Sequence, residues 1–148
     1  SSAASDVYKR QGLLRPTAGD VTILVEGEEC GANISPGRLR ELLMNLISNA
    51  VKYNVPGGRV TVTVGKAGNG MVRLCVADTG IGIPEEAQPH VFERFYRVDK
   101  GRSKKAGGTG LGLAIVKHIT ALYGGELKLE SQVGRGTVVT VTLPAANI

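Results

Sequence analysis

Leu39-Arg-Glu-Leu42-Leu43-Met-Asn45-Leu46-Ile47-Ser-Asn49-Ala50-Val51-Lys52-Tyr53 is the stretch that decides the fold, because it carries two stripes at once. Leu39, Leu42, Leu43, Leu46, Ile47, Ala50 and Val51 fall at i, i+3, i+4, i+7, i+8, i+11 and i+12, one apolar helical face. Pro36 opens this helix where its missing N–H costs nothing. Asn54 and Pro56-Gly57-Gly58 end it. Asn45, Asn49 and Lys52 or Tyr53 recur at i, i+4 and i+7 or i+8, a polar stripe beside the apolar one. A polar helix face is ordinarily just solvated. Asn, however, is a poor interior helix residue, so two on one face suggest that their amides are used.

The surroundings of this helix are strands. Val21-Thr-Ile-Leu-Val25 precedes it as a strand candidate. Val60, Val62, Val64 and then Val72, Leu74, Val76 alternate cleanly on either side of a turn at Ala67-Gly-Asn-Gly70. A second helix is expected from about Gly110 to Tyr123, stopped by Gly124-Gly125. A terminal hairpin, Glu126–Ser131 and Thr137–Leu143, turns through Gly134-Arg-Gly136. Five strands with segregated helices predict an α+β fold, a two-layer α/β sandwich. Its sheet would be mixed and mostly antiparallel, with about three helices on one face.

Three further segments carry candidate chemistry. Asp78-Thr-Gly80-Ile-Gly82 leaves a buried strand and enters a glycine turn. Such an Asp is either a turn-former or helix cap, or a carboxylate that accepts a hydrogen bond from the exocyclic amine of adenine. Gly80 and Gly82 would then let backbone approach the base, with Ile81 and Ile83 against its face. Phe92-Glu-Arg94-Phe-Tyr-Arg97 reads as a short helical turn whose aromatics pack inward, at least in part, and whose guanidinium forks suit phosphate oxygens. Gly107-Gly108-Thr109-Gly110-Leu111-Gly112-Leu113 leads into a helix, as phosphate-cradling loops do. A flexible linker before a helix reads the same way. The loop is no dinucleotide fingerprint, since no strand immediately precedes it, and no P-loop, since the Gly-Lys-Ser/Thr ending is absent.

Taken in order, these four segments resemble the ATP-binding catalytic domain of bacterial sensor histidine kinases, within the wider family of gyrase B, Hsp90 and MutL. The resemblance covers roughly residues 20 to 144 and implies a Bergerat-type fold that binds Mg-ATP. It implies that Asn49 ligates Mg²⁺, a role suited to an amide oxygen. It puts Lys52 near the phosphates, Tyr53 beside the nucleoside, and Asp78 on adenine. Phe92, Arg94, Arg97, Gly108, Thr109, Gly110, Leu111, Gly112 and Leu113 complete the expected nucleotide site. Arg97 is preferred over Arg94 for the γ-phosphate. The aromatic–arginine segment points to the kinase branch, where it is a feature. Related hydrolases carry a water-activating glutamate one turn before the magnesium Asn. Asn45 stands there instead, and an amide cannot accept a proton. With Asn45, Asn49, Lys52 and Arg97 as the catalytic set, the site is built to hold ATP and transfer phosphate rather than hydrolyse quickly. In the family the acceptor histidine lies on a separate dimerisation domain. His90 and His118 lack its sequence context and read as a loop and a helix-surface residue.

The remaining features set bounds. At 148 residues the chain is one domain. Residues 1–11 lack periodicity and read as a scar or disordered lead-in, leaving 12–148 as the domain. Residues 98–106 between the boxes read as part of a lid at about 89–110. No membrane-spanning run or signal peptide is read. Cys30 and Cys75 fit no metal spacing and read as reduced thiols of a cytoplasmic protein, with a disulfide as the alternative. The net charge is +5, and Arg94, Arg97, Lys100, Arg102, Lys104 and Lys105 cluster against Asp99 alone. That cluster suits a polyphosphate or nucleic acid. Aromatic residues make up only 4%, which disfavours base stacking, so nucleic acid is not expected. The expected partners are the histidine-bearing dimerisation domain and, indirectly, a response regulator receiver domain. Direct membrane insertion is not expected. Three rival readings of the sequence remain. They are a serine kinase of the anti-sigma-factor type, a nucleotide-sensing domain without transfer activity, and a nucleic-acid binder using 94–105.

Overall fold

The structure is a computed structural model that describes residues 21–96 and 112–146. Residues 1–11, the 98–106 stretch, Arg97 and the Gly107 to Leu111 run lie outside the described residues. Among the described residues the elements run β1 (Thr22–Gly27), α1 (Pro36–Lys52), β2 (Arg59–Gly68), β3 (Met71–Asp78), α2 (Gly112–Leu122), β4 (Glu126–Gln132) and β5 (Gly136–Pro144), with a 3₁₀ turn at Gln88–His90. The five strands form one sheet in the order β1-β2-β3-β5-β4. β1 and β2 pair in parallel, bridged by α1, and every other pairing is antiparallel. The predicted mixed, mostly antiparallel sheet is what the chain forms.

The periodicities explain the layers. Leu39, Leu42, Leu43, Leu46, Ile47 and Ala50 are the buried residues of α1, and Val51 is half-buried at the stripe's end. They join one cluster with Ile23, Val60, Val62, Val64, Val72, Leu74, Val76, Val139, Val141 and Leu143 from the sheet, and Val116 and Ile119 from α2. Each fully buried aliphatic side chain contributes about 1.5–3 kcal/mol, so this stripe-on-sheet contact is the main source of stability. Ser35 caps α1, its hydroxyl accepting from the Arg38 N–H at 3.4 Å. Pro36 occupies the first turn as its chemistry dictates.

Several local details differ from expectation. The β2–β3 turn is tighter than Ala67–Gly70, because β2 continues to Gly68 after a bulge between Lys66 and Gly68. The reversal is made by Asn69 and Gly70, with φ of 52° and 71°. Asn-Gly tolerates two successive positive φ angles, which match strand twist. The Phe92 segment forms irregular turns, not a helical one. Phe95 has φ 65° and is 63% exposed, so it is not a core residue, while Phe92 and Tyr96 are half-buried. Both cysteines are free thiols, as expected.

Candidate functional site

The sheet register sets the site's centre. Asp78 is the last residue of β3, paired with Val60 on one side and Thr137 on the other. There its Oδ1 accepts the Gly80 N–H at 2.8 Å and the Thr137 N–H at 3.1 Å. Both bonds fall on one oxygen, so Oδ2 keeps its acceptor capacity among the described residues. Burial pushes the Asp78 carboxyl above its ordinary value, against the downward pull of those two N–H donors. A half-buried carboxylate with one oxygen anchored and the other open suits a directional donor such as an amine.

The turn that follows is sewn to two neighbours. The Ile81 N–H donates to the Tyr53 carbonyl at 3.1 Å, which ties it to the end of α1. The Gly134 N–H donates to the Ile81 carbonyl at 2.9 Å, and the Ile83 N–H to Ser131 Oγ at 2.8 Å. Ser131 Oγ also meets Thr137 Oγ1 at 2.7 Å, and Gln88 Nε2 bonds the carbonyls of Ile83 and Ser131. The chain itself therefore requires the two glycines. A Cβ on Gly80 would strike the Tyr53 carbonyl, and one on Gly82, at φ 76°, would strike the Gln132 carbonyl.

Asn45, Asn49 and Lys52 stand on the C-terminal half of α1, and Tyr53 caps its end. The two asparagines differ. Asn45 Nδ2 donates to the Glu41 carbonyl of its own helix at 2.8 Å. Its Oδ1 faces the start of α2, where a Cβ on Gly112 would come within 3.3 Å. Asn49 is half-buried, and its amide has no hydrogen bond among the described residues. A polar amide left open on a helix face fits a metal or phosphate ligand, which is the fit the Mg²⁺ expectation needs. Lys52 is exposed in the last turn, where its charge also offsets the helix dipole.

The structure thus joins the α1 end, Asp78, Gly80, Ile81, Gly82 and Ile83, and brings Gly112 against Asn45. Among the described residues, it does not bond residues 92–96 to them. The Arg94 guanidinium lies over the Phe95 ring at 5.5 Å. No hydrogen bond or ion pair among the described residues links Phe92 or Arg94 to Asn49 or Asp78. His90 is exposed with Nδ1 at 2.9 Å from Glu93 Oε2, and His118 is exposed on α2. A depression of about 410 Å³ lined by Ile83, Glu85, Gln88, Ser131, Gln132 and Val133 contains neither Asp78 nor Asn49. Its walls are the hairpin stitching just described, so the open carboxylate and amide mark the site better than volume does.

Sequence reasoning missed Asn54, Thr79, Ser131 and Gln88. Asn54 was legible only as a helix stop, and Thr79 only as a letter between Asp78 and Gly80. Nothing local marks Ser131 or Gln88, whose partners lie across the fold.

A family model for the "Histidine kinase-, DNA gyrase B-, and HSP90-like ATPase" matches residues 34–147. The chain belongs to this family of ATP-binding domains. The solved mycobacterial sensor histidine kinase MprB superposes with a TM-score of 0.83 at 30% identity, covering 98% of this chain and 96% of that one. Within the family, then, this is a catalytic domain of the sensor histidine kinase kind. Sensor histidine kinase RppB of Synechocystis sp. is 48% identical over 111 residues, 75% of this chain and 24% of that protein. Sensor histidine kinase YkoH of Bacillus subtilis is 43% identical over 141 residues, 95% of this chain and 28% of that protein. The chain spans about a quarter of the length of these curated relatives. No helix among the described residues is long and apolar enough to cross a membrane.

Proposed function

We propose that this chain binds Mg-ATP and donates the γ-phosphate to a histidine on a separate dimerisation domain, as the cytoplasmic catalytic part of a longer sensor kinase that in turn serves a response regulator. The observation that carries the reading is the bonded path from the open Asp78 carboxylate through Ile81 and the Tyr53 carbonyl to the helix bearing Asn49. That path holds a base-reading group and a phosphate-side group on one rigid frame.

In this reading Asp78 accepts from the adenine amine, and Ile81 and Ile83 flank the ring. Tyr53 lies beside the nucleoside, and Lys52 and Asn49 face the phosphates. Arg94, Arg97 and the 108–113 segment would enclose the triphosphate. Magnesium held by Asn49 would supply charge neutralisation at the phosphates when bound. The transfer breaks the bond from γ-phosphorus to the β,γ-bridging oxygen, forms a phosphorus–nitrogen bond to imidazole, and releases ADP. Positioning and charge neutralisation supply most of the catalysis. Asn45 supports transfer over hydrolysis, because it offers no carboxylate to activate water. Glu41, one turn earlier, is engaged by Arg38 at 3.0 Å.

The test is to mix the chain with Mg²⁺, γ-labelled ATP and separately made dimerisation helices of a related kinase. Label that appears on the helices and is lost in acid is the expected result. Acid-stable label would mean a hydroxyl acceptor and overturn the histidine assignment.

A further inference from the structure

Asn54 and Thr79 lie between the two halves of the site, and the role assigned to them rests on the ATP-binding reading above. Asn54 is only 8% exposed. The other buried polar side chain among the described residues, Thr120, merely bonds back to the Val116 carbonyl of its own helix at 2.7 Å. Asn54 instead joins separate pieces of chain. Its Nδ2 donates to the Arg59 carbonyl at 3.1 Å, at the start of β2. Its Oδ1 accepts the Val55 N–H at 2.8 Å and the Thr79 hydroxyl at 3.1 Å. Thr79 Oγ1 in turn accepts the Arg59 N–H at 2.8 Å. The glycines nearby are moulded to this knot. A Cβ on Gly58 would strike Asn54 Oδ1, and one on Gly80 would come within 3.2 Å of Asn54 Cα.

Each end of the knot is one residue from a ligand-facing group. Asn54 follows Tyr53 at the end of the Asn49 helix, and Thr79 follows Asp78. We propose that Asn54 and Thr79 are positioning residues that set the separation of Asp78 from Asn49, so that one ATP molecule spans both. A buried amide bonded through both its oxygen and its nitrogen is a rigid spacer, because releasing any arm leaves a polar group unpaired. A ligand that engages two subsites gains from the linkage only when their spacing matches its own length. Small displacements are therefore felt by the whole nucleotide and not by its halves.

That asymmetry separates positioning from plain support of the fold. The experiment compares adenosine, Mg-tripolyphosphate and Mg-ATP binding to the 148-residue chain and its Thr79→Val variant, by calorimetry or NMR titration, with circular dichroism confirming the fold. Expected for Thr79→Val are adenosine and tripolyphosphate affinities within about twofold of the unaltered chain and a roughly tenfold weaker ATP affinity. Thr79→Ser, which keeps the hydroxyl, should restore ATP affinity. ATP binding unchanged in Thr79→Val, or adenosine and ATP weakened equally, would overturn the proposal. If Thr79→Val does not fold, Asn54→Ser carries the same comparison. An unaltered chain that fails to bind ATP, or an Asp78→Asn variant that binds it equally well, sinks the ATP site itself. An Asp78-dependent ATP site indifferent to Thr79 and Asn54 sinks this proposal alone.

Discussion

Replacing Asp78 with Asn separates ligand recognition from folding. The amide oxygen can take over Oδ1 and keep the Gly80 and Thr137 N–H bonds at 2.8 and 3.1 Å. The amide nitrogen then stands where Oδ2 stood, and it donates. It would face the adenine amine as donor against donor. A hydrogen bond to a charged group is worth about 1.5–3 kcal/mol, so a mid-range loss weakens ATP roughly fortyfold. Stability should not fall with it, because burial already disfavours the charge on Asp78 and the amide removes that cost. Calorimetry of ATP binding beside a thermal melt tests both halves. Inosine triphosphate, whose base lacks the amine, sharpens the assay. The unaltered chain should prefer ATP to it, and Asp78→Asn should not. An Asp78→Asn chain that melts normally and binds ATP within threefold of the original would refute the reasoning.

Acidification should weaken ATP binding as the Asp78 carboxylate is protonated. With its value raised, this step falls at a higher pH than for an ordinary aspartate, and a pH series of binding isotherms on the chain and on Asp78→Asn checks it. In the ATP-free chain the same shift acts on stability. Between the ordinary and the raised value the folded state holds more protons than the unfolded chain, so melting temperatures should drop as pH rises through that window. Asn49→Ala should weaken ATP about tenfold in Mg²⁺ yet change little in EDTA. Its melt should not fall, since no hydrogen bond among the described residues is lost and Ala suits a helix interior better than Asn; equal losses with and without Mg²⁺ count against the metal role. Gly82→Ala should destabilise by about 2 kcal/mol, because Ala is strained at positive φ and its Cβ meets the Gln132 carbonyl. Chemical denaturation with an unchanged midpoint would contradict that.

Helix α1, the alternating strands and the glycine turns were readable in the chain because each depends on neighbours a few residues away. The Leu39 to Val51 stripe needs only the 3.6-residue repeat, and Val60, Val62 and Val64 only the pleat. The β2–β3 turn was misjudged by two residues because the bulge at Lys66–Gly68 is set by pairing with Met71, not by composition. Phe95 was read as possible core from its apolarity alone, yet nothing in a short segment says which aromatics find a cavity.

Family membership, the candidate residues and the chemistry open to them were legible in the amino-acid order, because residue type sets what a side chain can accept, donate or ligate. Which of them would be free to do so was a tertiary decision. Asp78 is braced by Thr137, 59 residues away, and Thr79 by Asn54, 25 residues away. Those partners are chosen by sheet register and by where α1 ends against the sheet. Asn45 and Asn49 look alike in the sequence, but one amide is spent on its own helix against Gly112 while the other has no hydrogen bond among the described residues. Hydrogen-bond saturation depends on everything that packs nearby, and no stretch of sequence contains its own surroundings.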